Sequence, residues 1–367
     1  MTTAPRSPAS TASVLLACAL PAAAAAALLQ PATAHAAGPG RGIDVRIASY
    51  NTCGHGCLPS TRECVDTIGR DCATKLRPWA GGRAAQVADD IARARAGVVV
   101  TQEIGNNATP SQPGVDVESF RAPLTEAMRL RGYAEAPADY AGTRHPVDGY
   151  PLKSGAGRFT YYDARRFSHL DDSGRPLPHD LLWLPDSTEI YGKTMTWNTL
   201  RDRRTGARFV VVNMHLEFRR NGATDPNGWT KNWDQVRHAD ARRTAEHLTR
   251  DNPATRRLPI VFAGDMNSAT REDGASAHDA FADAGYADAL DLAPPQRRHG
   301  TEYASFNGGK IPLPKGDKID HVYVKAGTPV RQWTLVPQTT AQSGAAWDLL
   351  RSDHNLTHTT VRLAVTR

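Results

Sequence analysis

The 367-residue chain has no long apolar run beyond its first segment, so the remainder offers no membrane-crossing helix. It also lacks internal repeats, heptads and low-complexity tracts there, which excludes solenoids, coiled coils and extended disordered arrays. Residues 1–36 contain no acid and a single basic residue, Arg6. They carry an apolar stretch from Val14 to Leu29 that leads to Ala34-His35-Ala36. A small-x-small site after such a stretch reads as a secretory signal peptide, and Pro21 argues against the alternative of an uncleaved anchor. Cys18 lies mid-segment, which makes lipidation the weaker reading. The expected organisation is a signal peptide over 1–36, a short segment over 37–42 and one catalytic domain over 43–367, exported and monomeric.

No C-x-x-C pair occurs among Cys53, Cys57, Cys64 and Cys72, which counts against a structural zinc site. An even set of cysteines in an exported chain reads instead as two disulfides, with the pairing left open. Charge of one sign is not scarce. Lys and Arg number 44 against 38 Asp and Glu, a mildly basic balance that suits a polyanionic substrate or an acidic surface without requiring either.

What is present is a succession of strands and helices. Ile43, Val45 and Ile47 alternate with polar neighbours up to Asn51, the period of a half-buried strand. Ala84, Val87, Ala88 and Ile91 fall on one helical face ahead of the continuous apolar strand Val98–Val100. A second helix is expected over about Val117–Arg131 and a third over about Gln235–Leu248. Strands are expected at Phe159–Tyr162, Met195–Leu200, Phe209–Met214, Leu258–Ala263, Ile319–Val324, Trp333–Val336 and Thr359–Val365. The 219–234 loop, with Arg219, Arg220, Trp229, Lys231 and Trp233, is a candidate substrate contact.

Groups able to do chemistry gather at the ends of those strands. Glu103 follows the Val98 strand, and Asn51 ends the first one. Asn213 and His215 lie two apart on one strand face, and Asp265 and Asn267 repeat that spacing after Gly264. Asp320-His321 and Asp353-His354 add acid–histidine pairs near strand boundaries. Hydrolysis of a phosphoester needs an aligned water, a cation to neutralise phosphoryl charge and an imidazole titrating near neutrality, and these residue types supply all three.

In their order along the chain, Gln102-Glu103, Asn213-x-His215, Gly264-Asp265-Met266-Asn267 and Ser352-Asp353-His354 resemble the endonuclease/exonuclease/phosphatase superfamily. That group includes pancreatic-type deoxyribonucleases, abasic-site endonucleases, bacterial sphingomyelinases and inositol-polyphosphate phosphatases. The resemblance spans about Ile43 to Leu363. It implies an α/β fold, a four-layer α/β/β/α sandwich with two mixed sheets. It further implies that Glu103 is the principal Mg²⁺ ligand (Mn²⁺ or Ca²⁺ being alternatives), with Asn51 and Asp353 completing the metal shell. By the same resemblance His354 serves as base or phosphate contact with Asp320 orienting its ring, and Asp265 and Asn267 position water and phosphoryl group. His215 would act on a phosphate oxygen or the leaving group, and Asn213 and Arg158 would contact substrate. Two departures are the cysteine-rich insertion after Asn51 and the Tyr140–Tyr162 region, where Arg144, Asp148, Lys153 and Arg158 are the candidate contacts. The leading expectation is a secreted nuclease acting on DNA or RNA. The alternatives are a sphingomyelinase-like phospholipid phosphodiesterase or another phosphatase, and an inactive binding protein on the same fold.

Overall fold

The computed structural model describes residues 42–53, 72–104, 120–136, 157–170, 180–184, 193–224, 228, 230–269, 275–308, 313–338 and 351–365. In chain order the elements are β1 (Gly42–Asn51), α1 (Cys72–Arg93), β2 (Val98–Gln102), α2 (Arg121–Leu130), β3 (Tyr133–Glu135), β4 (Phe159–Asp163), β5 (Phe167–Leu170), β6 (Asp180–Leu184), β7 (Lys193–Asp202) and β8 (Arg208–His215). There follow α3 (Trp233–Glu246), β9 (Ile260–Asp265), α4 (Ala277–Asp283), β10 (Tyr286–Asp288), α5 (Ala289–Leu292), β11 (Arg298–His299), β12 (Asp320–Lys325), β13 (Val330–Val336) and β14 (Leu356–Ala364).

Two mixed sheets form. One runs β11-β13-β14-β1-β2-β4-β3, and the other runs β10-β12-β9-β8-β7-β5 with β6 added on β7. Alternation along each strand builds three apolar layers. Ile43, Val45, Ile47, Val98, Val100 and Val361 of the first sheet meet Phe209, Val211, Val261, Ala263 and Val322 of the second in a central core. The opposite face of the first sheet, with Ala48, Tyr50, Val99 and Phe159, packs on Ala84, Val87, Ala88 and Ile91 of α1 and on Leu124 and Met128 of α2. The outer face of the second sheet, with Val210, Val212 and Phe262, packs on Ala241 and Ala245 of α3 and Ala280 and Phe281 of α4. Each fully buried Val or Ile contributes about 1.5–3 kcal/mol relative to exposure. The four-layer α/β sandwich implied by the resemblance is the one observed.

Element boundaries depart from expectation for identifiable reasons. The first helix begins at Cys72, taking in residues that read as part of the cysteine loop. The third begins at Trp233 because Asn232 caps it, its side chain accepting from Gln235 N. It then ends in a wide turn closed by Asn252 N donating to His247 O at 2.8 Å. The cysteines 57 and 64, most of the Tyr140–Tyr162 region and Trp229 lie outside the described residues, so those expectations are not addressed there. Among the described residues no helix is long and apolar enough to cross a membrane.

Parallel pairing decides where the chemistry gathers. β1 and β2 run parallel, as do β8 and β9, so Asn51, Glu103, His215 and Asp265 all leave at strand C-termini. β12 and β14 run antiparallel to their neighbours and present their N-terminal ends to the same rim. Register sets Asp320 opposite Asp265 and Ser49 opposite Thr357.

Candidate active site

Backbone conformation turns the side chains of this rim inward. Gly264 has φ +148°, and a Cβ there would lie 2.0 Å from Met214 O, so only glycine lets β8 and β9 approach closely enough at this point. Glu103 and Asn267 occupy the left-handed region at φ +57° and +48°. Non-glycine residues held there store strain of about 1–3 kcal/mol, a feature concentrated at functional sites. Gly157 backs the first of them: an added Cβ would sit 3.1 Å from Glu103 Cα, and Ile104 N donates to Gly157 O.

Side chains from both sheets then meet. His354 Nδ1 lies 2.8 Å from Asp320 Oδ2, which leaves Nε2 3.7 Å from Asp265 Oδ2 and 3.9 Å from Asp353 Oδ1. The Asn51 amide donates to Glu103 Oε1 and to Asp265 Oδ2, both at 3.0 Å, bridging the two sheets. His215 Nε2 approaches the same two oxygens at 3.8 and 3.6 Å, too far for hydrogen bonds. Asn267 N donates to Asp265 Oδ1 at 2.9 Å, and its side-chain amide donates to Leu216 O at 3.1 Å. A continuous chain of contacts thus links the Glu103 carboxylate to the His354 ring.

Burial and like charge set the electrostatics. Desolvation raises the Asp265 carboxyl well above the ordinary carboxylate range; His354 opposes that rise and Asp320 adds to it. Asp353 is raised by burial first and by Glu103 further down. Burial alone would lower the basicity of His354, but Asp320, Asp265 and Asp353 together hold it above its usual value. Asp320 Oδ1 and Asp353 Oδ1 are buried with no hydrogen-bond partner among the described residues. Crowded hard oxygens with unsatisfied lone pairs fit a hard divalent cation. Ligand atoms of Asp265, Asp320 and His354 lie within 4.8 Å of one another, close enough to hold one. Asp320 and His354 are already engaged with each other, however, and imidazole is a poor partner for a hard cation. Glu103 and Asp353, near enough to interact by charge, offer oxygen donors beside this group.

Several expected residues take other positions. Asn51 turns its amide oxygen away, to accept from Cys53 N at 2.9 Å, so its NH₂ group faces the carboxylates and the oxygen that a metal would need is engaged elsewhere. Asn213 is fully buried. Its amide accepts from Gln102 and donates to Thr101 O and Phe159 O, so it ties the sheets together and lies buried away from any substrate. Arg158 is buried beside Glu103's neighbour Gly157. Trp233 of the 219–234 loop is also buried, donating from its indole to Ala223 O, and cannot serve as a surface aromatic. His321 pairs with Asp288 instead of its sequence neighbour, because adjacent strand residues point to opposite faces.

Other contributors carried weak sequence signals. Ser352 Oγ donates to Asn51 O at 2.6 Å and accepts from His354 N at 3.0 Å, joining the His354 turn to the end of β1. Buried Arg83 donates to Thr52 O and Arg351 O behind the same junction. The Phe306 ring stands edge-on to His354 at 5.1 Å and is 46% exposed. Only the Ser-Asp-His run marked Ser352 in advance; nothing local distinguished Arg83 or Phe306.

No protein-family model matches the sequence, and no match was found among curated proteins. Solved structures do match. An endonuclease/exonuclease/phosphatase family protein from Bacteroides thetaiotaomicron is similar at TM-score 0.60 and 17% identity, over 88% of this chain and 98% of that one. The chain has the endonuclease/exonuclease/phosphatase fold. A mannosyl-6-phosphatase from the same organism shares this fold at TM-score 0.57 and 17% identity, over 86% of this chain and 99% of that one. TDP2 of D. rerio, solved with a single-strand DNA product, shares it at TM-score 0.52 and 14% identity, over 87% and 98%.

Proposed function

We propose that the protein is an exported, divalent-metal-dependent phosphodiesterase that hydrolyses nucleic-acid backbones. The observation that carries this reading is the meeting of the Asp320–His354 pair with the Asn51-bridged carboxylates of Glu103 and Asp265 at one rim. Glu103 and Asp353 would hold Mg²⁺, with Mn²⁺ or Ca²⁺ as substitutes; when bound, the cation would neutralise charge developing on the phosphoryl oxygens. Asp265, whose raised carboxyl titrates closer to neutrality than a free one, takes the proton of the attacking water. Asn267 holds Asp265 and the phosphoryl group in line. His354, kept cationic by its carboxylate neighbours, contacts a non-bridging oxygen, while Asp320 fixes the direction of its Nε2. His215 would give a proton to the departing oxygen, which leaves as an alcohol.

Nucleic acid is favoured over lipid by the mildly basic balance and by the exposed Phe306 beside His354, a face on which a base can stack. The DNA product in TDP2 is consistent with that choice. Export with the leader removed and paired cysteines belong to the same proposal. The test is parallel assay of the purified protein with Mg²⁺ on DNA, RNA, sphingomyelin and a phosphomonoester. Diester cleavage of DNA or RNA, abolished by EDTA, is expected. Preference for sphingomyelin or for the monoester overturns the nuclease reading.

A further inference from the structure

His321 is a buried histidine for which the proposed reaction has no use. Its ring lies on the face of β12 opposite Asp320, with Nδ1 2.6 Å from Asp288 Oδ2 and Nε2 3.0 Å from Ser268 O. Two acceptors require two donors, so the ring carries both protons and forms an imidazolium–carboxylate pair. Both partners are 1% exposed. Burying such a pair gives little net stability compared with apolar residues of the same volume, so stability alone is a weak account of its presence.

What the pair grips is the turn that carries Asp265 and Asn267. That turn is pinned at Met266, whose N donates to Ile319 O at 2.7 Å, and at Ser268, whose carbonyl accepts a hydrogen bond from His321 Nε2 and whose Oγ accepts from Ala277 N. Between the two pins sits Asn267 in its left-handed conformation. Ile319, Asp320 and His321 are consecutive, and each holds a different part of the rim: Met266, the His354 ring and Ser268 respectively. Asp288 in turn is fixed by accepting from Leu290 N at the start of α5.

We propose that His321, held by Asp288, is a positioning residue that sets the Asp265–Ser268 turn, and with it the Asn267 amide, relative to the His354 ring. The inference rests on the phosphodiesterase reading for its consequence in rate, though not for its geometry.

The test compares His321→Leu, His321→Gln and Asp288→Asn with the wild type on a small aryl phosphodiester with Mg²⁺. Thermal melting and the ¹⁵N resonance of the Asn267 side-chain amide are read on the same samples. His321→Leu is expected to lower kcat about 10- to 100-fold, the range typical of losing a supporting hydrogen bond behind a reactive group, with KM within about twofold. His321→Gln, which can still donate to Ser268 O, is expected to recover most of that kcat while melting no higher than the leucine variant. Equal kcat in the two variants, or an unmoved Asn267 resonance in His321→Leu, overturns the proposal. Should His321→Leu fail to fold, Asp288→Asn is read in the same way, and wild-type kcat with an unmoved Asn267 resonance overturns it. A wild type inactive on the diester refutes the phosphodiesterase reading alone, since the resonance then decides the positioning claim.

Discussion

The two buried Asp–His pairs of β12 use the same functional groups at nearly the same distance, yet they are suited to different work. In the Asp320–His354 pair one imidazole nitrogen is held at 2.8 Å and the other is left among Asp265 and Asp353 at the rim. In the Asp288–His321 pair the second nitrogen is occupied by Ser268 O. A histidine with one nitrogen uncommitted can meet a substrate; one with both committed can only brace. Carboxylate contact raises the basicity of both rings against the effect of burial. Buried His358, with Arg46 and His299 as its charged neighbours, is instead pushed down to about 4, by burial first and those cations second. What faces the second nitrogen, more than the raised basicity the two pairs share, separates bracing from chemistry.

The sharpest way to break this comparison is to neutralise each acid in turn. Asp320→Asn is expected to lower kcat about a thousandfold or more, as misdirecting a catalytic imidazole does. Asp288→Asn is expected to lower stability by about 3–5 kcal/mol in urea unfolding, the usual cost of removing one member of a buried ion pair. Matching phenotypes in the two variants would erase the distinction. Next in size, Glu103→Gln is expected to raise the Mg²⁺ concentration for half-maximal activity at least about tenfold, measured by metal titration. An unchanged requirement would place the cation elsewhere.

A smaller effect sharpens the rim side. The raised carboxyl of Asp265 must be ionised to accept a proton, so kcat/KM is expected to fall as pH drops below neutral, about tenfold per pH unit on that limb. A pH–rate profile flat down to about pH 4, the ordinary carboxylate range, counts against Asp265 as base. The smallest effect concerns His358. Its pKa is depressed in the folded state relative to about 6.5 unfolded, so its contribution is present above that value and lost as pH falls towards 4. Urea unfolding between pH 7 and 4 should therefore show a loss of at most about 3 kcal/mol that His358→Gln removes. Identical pH dependence in both proteins would assign the acid sensitivity to other groups.

Much of the sandwich was legible because period-two alternation and the Ala84–Ile91 face report directly on which side of a strand or helix is buried. Helix ends were less so, since Asn232 capping and the wide turn after Glu246 carry no hydrophobic signal. Within the rim, Glu103, His215, Asp265, Asp320 and His354 could be named in advance, because acids, amides and imidazoles at the boundaries of apolar strands stand out. Apart from the Asp320–His354 pair, which the resemblance implied, their partners could not. Asn213 shares a strand face with His215 as the spacing requires, but whether its amide met substrate or the Gln102 side chain depended on the other sheet.

Sequence by itself determined the order of strands and helices and the kinds of reactive group at their ends, since both follow from local periodicity and residue chemistry. Tertiary structure alone decided that His321 turns the other way to Asp288 and that Asn51 offers its NH₂ to two carboxylates. The physical reason is that hydrogen bonds between side chains depend on sheet register and on the packing of one sheet against the other, and those are properties of the folded chain as a whole.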